Sequence, residues 1–227
     1  MENGILKAAF KDGRLDYVEL NGVKVMEGAG ERPFVQIGDS ETEVKFLSHE
    51  DGLSMIETYR LEENRLIVRE TFFAEEKGKY DAKLKFNVNL EGLGSPVTAH
   101  ALQLNADLFY TVDESGDVTG EVRSVKNMPF DFREDKLVVE ALDSRHPQIR
   151  QNGGINNPYI LNEGDEQVWL YDPHSQVELS VKTDWEKLRF GVKEDSDRIA
   201  LTFGELIRLN AGSSTVRTTI FAFSIKK

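Results

Sequence analysis

The sequence predicts an all-β chain built as a sandwich or barrel, on three observations. Short runs alternate apolar and polar residues with a period of two. Turn residues punctuate those runs at regular intervals. No stretch sustains a helical period.

The alternating runs are spread along the chain. Phe34-Val35-Gln36-Ile37 precedes Gly38-Asp39. Arg65 through Phe73 is rich in β-branched and aromatic residues, and Val177 through Val181 alternates without a break. So does Val216 through Ile225. The turns lie between such runs: Lys11-Asp12-Gly13, Leu20-Asn21-Gly22, Asp51-Gly52, Glu63-Asn64, Asn152-Gly153-Gly154 and Asn210-Ala211-Gly212. Asn and Gly tolerate positive φ, so Asn21-Gly22 between two apolar runs predicts a tight hairpin. The best helix candidate is a short turn from Glu134 to Leu142. Residues Ser95 to Val125, where periodicity weakens, are expected to hold the longest loops.

At 227 residues the chain is expected to form one domain, residues 1–227, with a core large enough to need no covalent staples. It contains no cysteine, which excludes disulfides and thiolate metal sites. The opening MENGILKAAFKDGR lacks a basic start followed by an apolar run, so no secretory leader is expected, and the expected setting is the cytoplasm. No apolar run is long enough for a membrane helix. The formal net charge of -12 repels phosphate backbones and anionic membranes. Nucleic acid and membrane are therefore not expected as partners, and a ligand is expected to be neutral or cationic.

Chemistry is sparse. The four histidines, His49, His100, His146 and His174, have no metal-ligand spacing, so no metal site is expected. No nucleophile elbow, phosphate-binding loop or dinucleotide fingerprint occurs. The run Lys83 through Leu90 is the most informative. Alternation puts Leu84, Phe86, Val88 and Leu90 on one face, and Lys83, Lys85, Asn87 and Asn89 on the other. Amides and amines in a row suit a hydroxyl-rich ligand. Alternation alone favours the plainer reading, a solvated outer face.

Three segments carry a more specific signal. They are His100-Ala101-Leu102-Gln103-Leu104-Asn105-Ala106-Asp107 with Val112-Asp113-Glu114, then Val118-Thr119-Gly120-Glu121-Val122, then Pro129-Phe130-Asp131-Phe132-Arg133. In this order they resemble the middle of the aldose 1-epimerase (galactose mutarotase) family. Gly154-Ile155-Asn156-Asn157-Pro158-Tyr159-Ile160-Leu161, Asp172-Pro173 with the strand after it, and Asn210-Ala211-Gly212 extend the resemblance over residues 82 to 225. It implies an all-β galactose mutarotase-like supersandwich whose concave sheet binds a monosaccharide. It also implies a reaction that opens and recloses the pyranose ring without a cofactor. In the family a glutamate acts as general base on the anomeric hydroxyl, and a histidine as general acid on the ring oxygen.

Matched residue by residue, the sequence departs from that pattern. The acid histidine falls near Lys85, with Asn89-Leu90-Glu91-Gly92 following. The substrate aspartate and the histidine after it fall at Asn156 and Asn157, and the base falls near Thr202. Glu205, three residues on, replaces that base only if a bulge turns it to the site. The resemblance thus implies Glu205 and Lys85 as catalytic candidates, and Asn87, Asn89, Asn156, Asn157, Thr202 and His100 as substrate-binding ones. Asp131 and Arg133 are further polar candidates, with a structural role favoured. Three functions follow. The first is a carbohydrate-binding protein with weak or absent epimerase activity, monomer or homodimer. The second is an active epimerase that has relocated its acid and base to Glu205 with Lys85 or His100. The third is a non-catalytic structural or interaction domain.

Overall fold

The computed structural model describes residues 1–30, 34–89, 103–106, 109–112, 118–122, 125–129, 136–140, 167–171, 176–185, 187–192 and 198–225. Its strands form two nine-stranded sheets. Sheet I runs, in spatial order, β1 (Leu6–Lys11), β2 (Arg14–Leu20), β3 (Val23–Gly28), β8 (Gly78–Asn89), β17 (Arg198–Leu209), β16 (Lys187–Val192), β13 (Lys136–Glu140), β10 (Phe109–Val112) and β11 (Val118–Val122). Sheet II runs β12 (Val125–Pro129), β9 (Gln103–Ala106), β14 (Gln167–Tyr171), β15 (Val177–Thr183), β18 (Ser214–Ile225), β7 (Arg65–Ala74), β6 (Leu53–Glu62), β5 (Glu43–Glu50) and β4 (Val35–Asp39). Neighbouring strands in both sheets are antiparallel, and no helix occurs among the described residues.

The hairpins follow from local chemistry. Asp12-Gly13, Asn21-Gly22 and Asp51-Gly52 each place both central residues at positive φ. That is the turn whose twist matches the twist of the paired strands. Glu63 also takes positive φ, at 50°, without a glycine beside it. Hydrogen bonds hold that turn from outside: Asn3 Nδ2 donates to the Glu63 carbonyl, and Asn64 exchanges bonds with the backbone of Phe223.

The expected helical turn from Glu134 to Leu142 is corrected. Residues Lys136–Glu140 are strand β13, paired with β10 on one side and β16 on the other. Leu137-Val138-Val139 is an apolar run too short to reveal its period, and the two flanking strands decide its conformation. Of the span Ser95 to Val125, expected to hold the longest loops, the described residues are those of strands β9, β10 and β11, each of four or five residues, and the first of β12, and the connecting segments lie outside the described residues.

The inner faces of the two sheets meet in one apolar core. Phe86 of β8 packs edge-on against Phe221 of β18 at 4.9 Å, and Phe203 of β17 joins both rings. Phe10, Phe46 and Tyr59 form a second aromatic cluster. Alternation explains the pattern: β6 and β7 bury every second residue from end to end.

Polar groups interrupt this core. Glu205 on β17 is 7% exposed, and its carboxylate takes two charge-assisted bonds from the guanidinium of Arg217 on β18. The pair therefore bridges the two sheets. Arg217 also stands opposite Glu70 in the β7–β18 ladder, and Glu70 opposite Glu57 in the β6–β7 ladder. Glu70 is 0% exposed. Tyr59 Oη donates to Glu57 Oε2 at 2.9 Å. Burial, then the Glu57 carboxylate, holds the Tyr59 phenol well above its ordinary value of 10.0.

Two outcomes follow from these buried groups. Arg217→Met leaves Glu205 buried without its guanidinium and removes the cation facing Glu70. It is expected to cost about 3–5 kcal/mol, more than Glu205→Gln, as read from urea midpoints at neutral pH. Tyr59 keeps its proton in the folded state at pH values where the unfolded chain loses it. Its contribution to stability is therefore complete below pH 10.0 and declines as pH rises above it. Spectroscopic titration should show one tyrosine ionising only with unfolding, and Tyr59→Phe should abolish that component.

Candidate functional site

The ladder between β8 and β17 is the foundation of the site. It runs from Arg198↔Asn89 to Leu209↔Gly78 with no register shift. Each residue's face is therefore fixed by its parity. Ala82, Leu84, Phe86 and Val88 of β8 point into the core, as do Leu201, Phe203, Glu205 and Ile207 of β17. Lys83, Lys85, Asn87, Thr202 and Gly204 take the outward positions.

Cross-strand pairing orders the outward positions into rows. One row is Lys85↔Thr202↔Arg189, and the next is Lys83↔Gly204↔Lys187. On the other side lies Tyr17↔Glu27↔Asn87↔Ala200↔Gly191. Asn87 is only 6% exposed although it points away from the apolar core. The Lys85 carbonyl accepts a hydrogen bond from Ala29 N–H, which ties the chain beyond β3 to this strand. At the β1–β3 end of the face the Tyr17 ring lies 4.3 Å from Lys24 Nζ and 5.9 Å from Lys7 Nζ. The Glu19 carboxylate, 3.5 Å from Lys7, holds that ammonium above its ordinary value, with Tyr17 adding to the effect.

The middle of the face is built from small residues: Ala200, Thr202, Gly204 and Gly191. Gly204 is the telling one. Its φ is not positive, and a Cβ there would meet Ala82 O at 3.7 Å and Lys83 Cγ at 3.9 Å, ordinary contacts. Neither backbone conformation nor packing among the described residues requires glycine, and no bulge interrupts the ladder. Glycine inside a strand weakens it, and often marks a place where another molecule approaches the backbone. Gly204 stands beside Lys83 in the ladder, and Thr202 beside Lys85, so a residue without a side chain lies among polar outward positions.

The structure brings together part of the expected set. Lys85 and Thr202 are direct cross-strand partners, and Asn87 lies one row away. Asn89 pairs with Arg198 at the end of the ladder. Glu205 pairs with Ala82, in the opposite phase to the outward rows, and faces the core, where Arg217 holds it. The bulge that would turn it outward is absent from β17, so Glu205 and Lys85 stand on opposite faces of sheet I. His100, Asn156, Asn157, Asp131 and Arg133 lie outside the described residues. Sequence reading missed Glu27, the cross-strand partner of Asn87 in the outward rows. The register shift between β2 and β3 buries Val25 and Met26 in succession and so conceals its phase.

Comparison with known proteins bears on the family and the fold. The family described as aldose 1-epimerase matches residues 58–192, more than half of the chain. The aldose 1-epimerase of Escherichia coli K12 is 28% identical over 179 residues, covering 72% of this chain and 51% of that protein. The aldose 1-epimerase of Haemophilus influenzae is 31% identical over 100 residues, covering 43% of this chain and 29% of that one. The chain thus spans about half the length, or less, of the curated relatives it matches. A galactose mutarotase related enzyme from Lactobacillus acidophilus superposes with a TM-score of 0.72 at 10% identity, covering 100% of this chain and 97% of that one. A galactose mutarotase-like protein from Lactobacillus casei gives 0.69 at 12%, covering 99% of each. At such identities the likeness establishes the fold, a galactose mutarotase-like sandwich.

Since nothing in the described packing calls for glycine at 204, Gly204→Ala is expected to raise stability by about 0.5–1 kcal/mol. Urea unfolding checks this, and a loss of stability would show that the strand itself needs the glycine.

Proposed function

This chain belongs to the aldose 1-epimerase family, and from that premise we propose that it binds a monosaccharide on the outward face of sheet I and exchanges anomers slowly or not at all. The observation that carries the reading is the set of rows around Gly204. Lys85, Thr202 and Asn87 offer donors and acceptors to sugar hydroxyls, over a floor of small residues that leaves room for a ring. Asn89, Asn156, Asn157 and His100 belong to the same proposed set.

Anomer exchange needs a base at the anomeric hydroxyl and an acid at the ring oxygen, on opposite sides of the sugar. The family resemblance puts the base near Thr202, whose hydroxyl is no base at neutral pH. Glu205, the nearest carboxylate in sequence, is engaged by Arg217 inside the core. This supports binding without efficient turnover. The proposal treats residues 1–227 as one cytoplasmic domain, monomeric or homodimeric.

A second reading, an active epimerase, has one observation in its favour. Glu27 stands next to Asn87 on the outward face, one row from Lys85, and so places a carboxylate and an amine near the same floor.

Polarimetry of fresh α-glucose and α-galactose at high protein concentration separates the two. The proposal expects the uncatalysed rate, together with saturable sugar binding by ligand-observed NMR. Thr202→Val, which removes one hydroxyl and keeps the shape, should weaken that binding about five-fold. Acceleration that vanishes in Glu27→Gln would establish the second reading. Absence of binding by any sugar would leave a structural or interaction domain.

A further inference from the structure

We infer that Glu57 and Glu70 hold a single proton between them in the folded chain, and that this shared proton is what lets the two sheets close over them. The inference concerns the core and stands apart from the sugar-binding reading of the outward face.

The ladders line up one polar row across the inner face of sheet II. Arg217 of β18 stands opposite Glu70 of β7, and Glu70 stands opposite Glu57 of β6. Glu205 of β17 reaches the same row from sheet I, on the guanidinium of Arg217. Glu57, Glu70 and Glu205 are 6%, 0% and 7% exposed. The row therefore gathers three buried carboxyl groups. Among the described residues, Arg217 is the one cation at an inward position of β6, β7, β17 and β18.

The surrounding described elements bring no second cationic side chain. From β6 the Tyr59 hydroxyl donates to Glu57, and burial above all keeps that phenol protonated. β5 brings Phe46, the cross-strand partner of Glu57, and β8 faces the row with Leu84 and Phe86. The Met1 ammonium, at the core margin beside β1, donates to the Ala8 carbonyl. Asp184, just past β15, adds a further carboxyl group close enough for Arg217 and Glu205 both to act on it.

Charge counting then decides the protonation state. With all three glutamates ionised, the row would carry two negative charges beyond what one guanidinium offsets, in a core that excludes water. Two carboxylates sharing a low-dielectric site do not both ionise at neutral pH, because each charge raises the cost of the other. Directly opposed positions on neighbouring strands set Cβ atoms about 5 Å apart, which makes Glu57 and Glu70 that pair. The guanidinium is already forked onto Glu205. The proton is a property of the pair and belongs to neither residue alone.

The direction of the pH dependence follows. In the unfolded chain both glutamates ionise at about pH 4.3. Above that pH the folded chain binds one proton more than the unfolded chain, so the pair favours folding less as pH rises. Its contribution is complete below the unfolded value and lost as pH rises through the value at which the folded pair ionises. The sandwich is thus set to loosen with alkalinity at one row, where β6 and β7 face β17.

Infrared spectra of the full chain at neutral pH test the inference. A carbonyl band of a neutral carboxylic acid is expected, and isotopic labelling of the glutamate carboxyl carbon should move it, which separates it from Asp184. Glu57→Gln and Glu70→Gln should each remove the band, whereas Tyr59→Phe, which keeps both carboxyl groups, should retain it. Urea unfolding from about pH 5 to about pH 8 should show the folding constant of each glutamine variant gaining on the native chain by up to about ten-fold per pH unit. Absence of a glutamic acid band in the native chain would overturn the inference, and that reading needs no variant to fold. A band that survives in either glutamine variant would overturn it too, as would a variant-to-native ratio that does not change with pH.

Discussion

The uninterrupted ladder between β8 and β17 is the constraint on which the rest of the structure depends. Twelve residues of each strand pair without a slip. A slip of one residue would exchange the two faces of both strands. With this register Phe86 and Phe203 meet Phe221 in the core, while Lys85 and Thr202 meet each other outside it. Core packing and site composition are thus set by one choice. The aromatic residues enforce it, because exposing them in the alternative register would forfeit about 1.5–3 kcal/mol for each buried ring.

That choice also fixes what the carboxylate of Glu205 can do. Parity sends it inward, where an isolated charge would be intolerable, and Arg217 from the facing sheet meets it. Removing either partner leaves the other stranded, whereas an apolar pair would serve stability as well. The ion pair is therefore best understood as a positional lock between sheets. It bonds one residue of β17 to one residue of β18, in a core whose apolar contacts would tolerate sliding far better than a forked guanidinium does.

Much of the fold was legible in the residues. The Asn21-Gly22 hairpin follows from two residues that accept positive φ, and the alternation of Lys83 to Val88 gives the correct faces of β8. What escaped the sequence has physical causes. A short apolar run such as Leu137-Val138-Val139 has no readable period, and distant strands decide its state. Glu27 sits just beyond a bulge, where counting by twos fails. The facing of Glu205 depends on whether β17 is bulged, which no local property of Ile199 to Leu209 announces. The outward face is the clearest case. Its rows join Lys85 to Thr202 and Lys83 to Gly204, residues more than a hundred positions apart in the chain.

Those same distant pairings govern how the site comes into being. Strands β4 to β7 form a meander of neighbours and can pair as soon as they exist. The outward face cannot. Its floor needs β17 alongside β8, so residues 78–89 wait for residues 198–209 across more than a hundred intervening positions. Sheet II has the same dependence, since β7 waits for β18. Closing loops of that length slows folding, and it leaves strand edges exposed in the meantime. During synthesis the first half of the chain thus presents two unpaired edges, on β7 and β8, until the C-terminal strands emerge. Any cell that makes this protein must keep those edges apart from other chains for that interval.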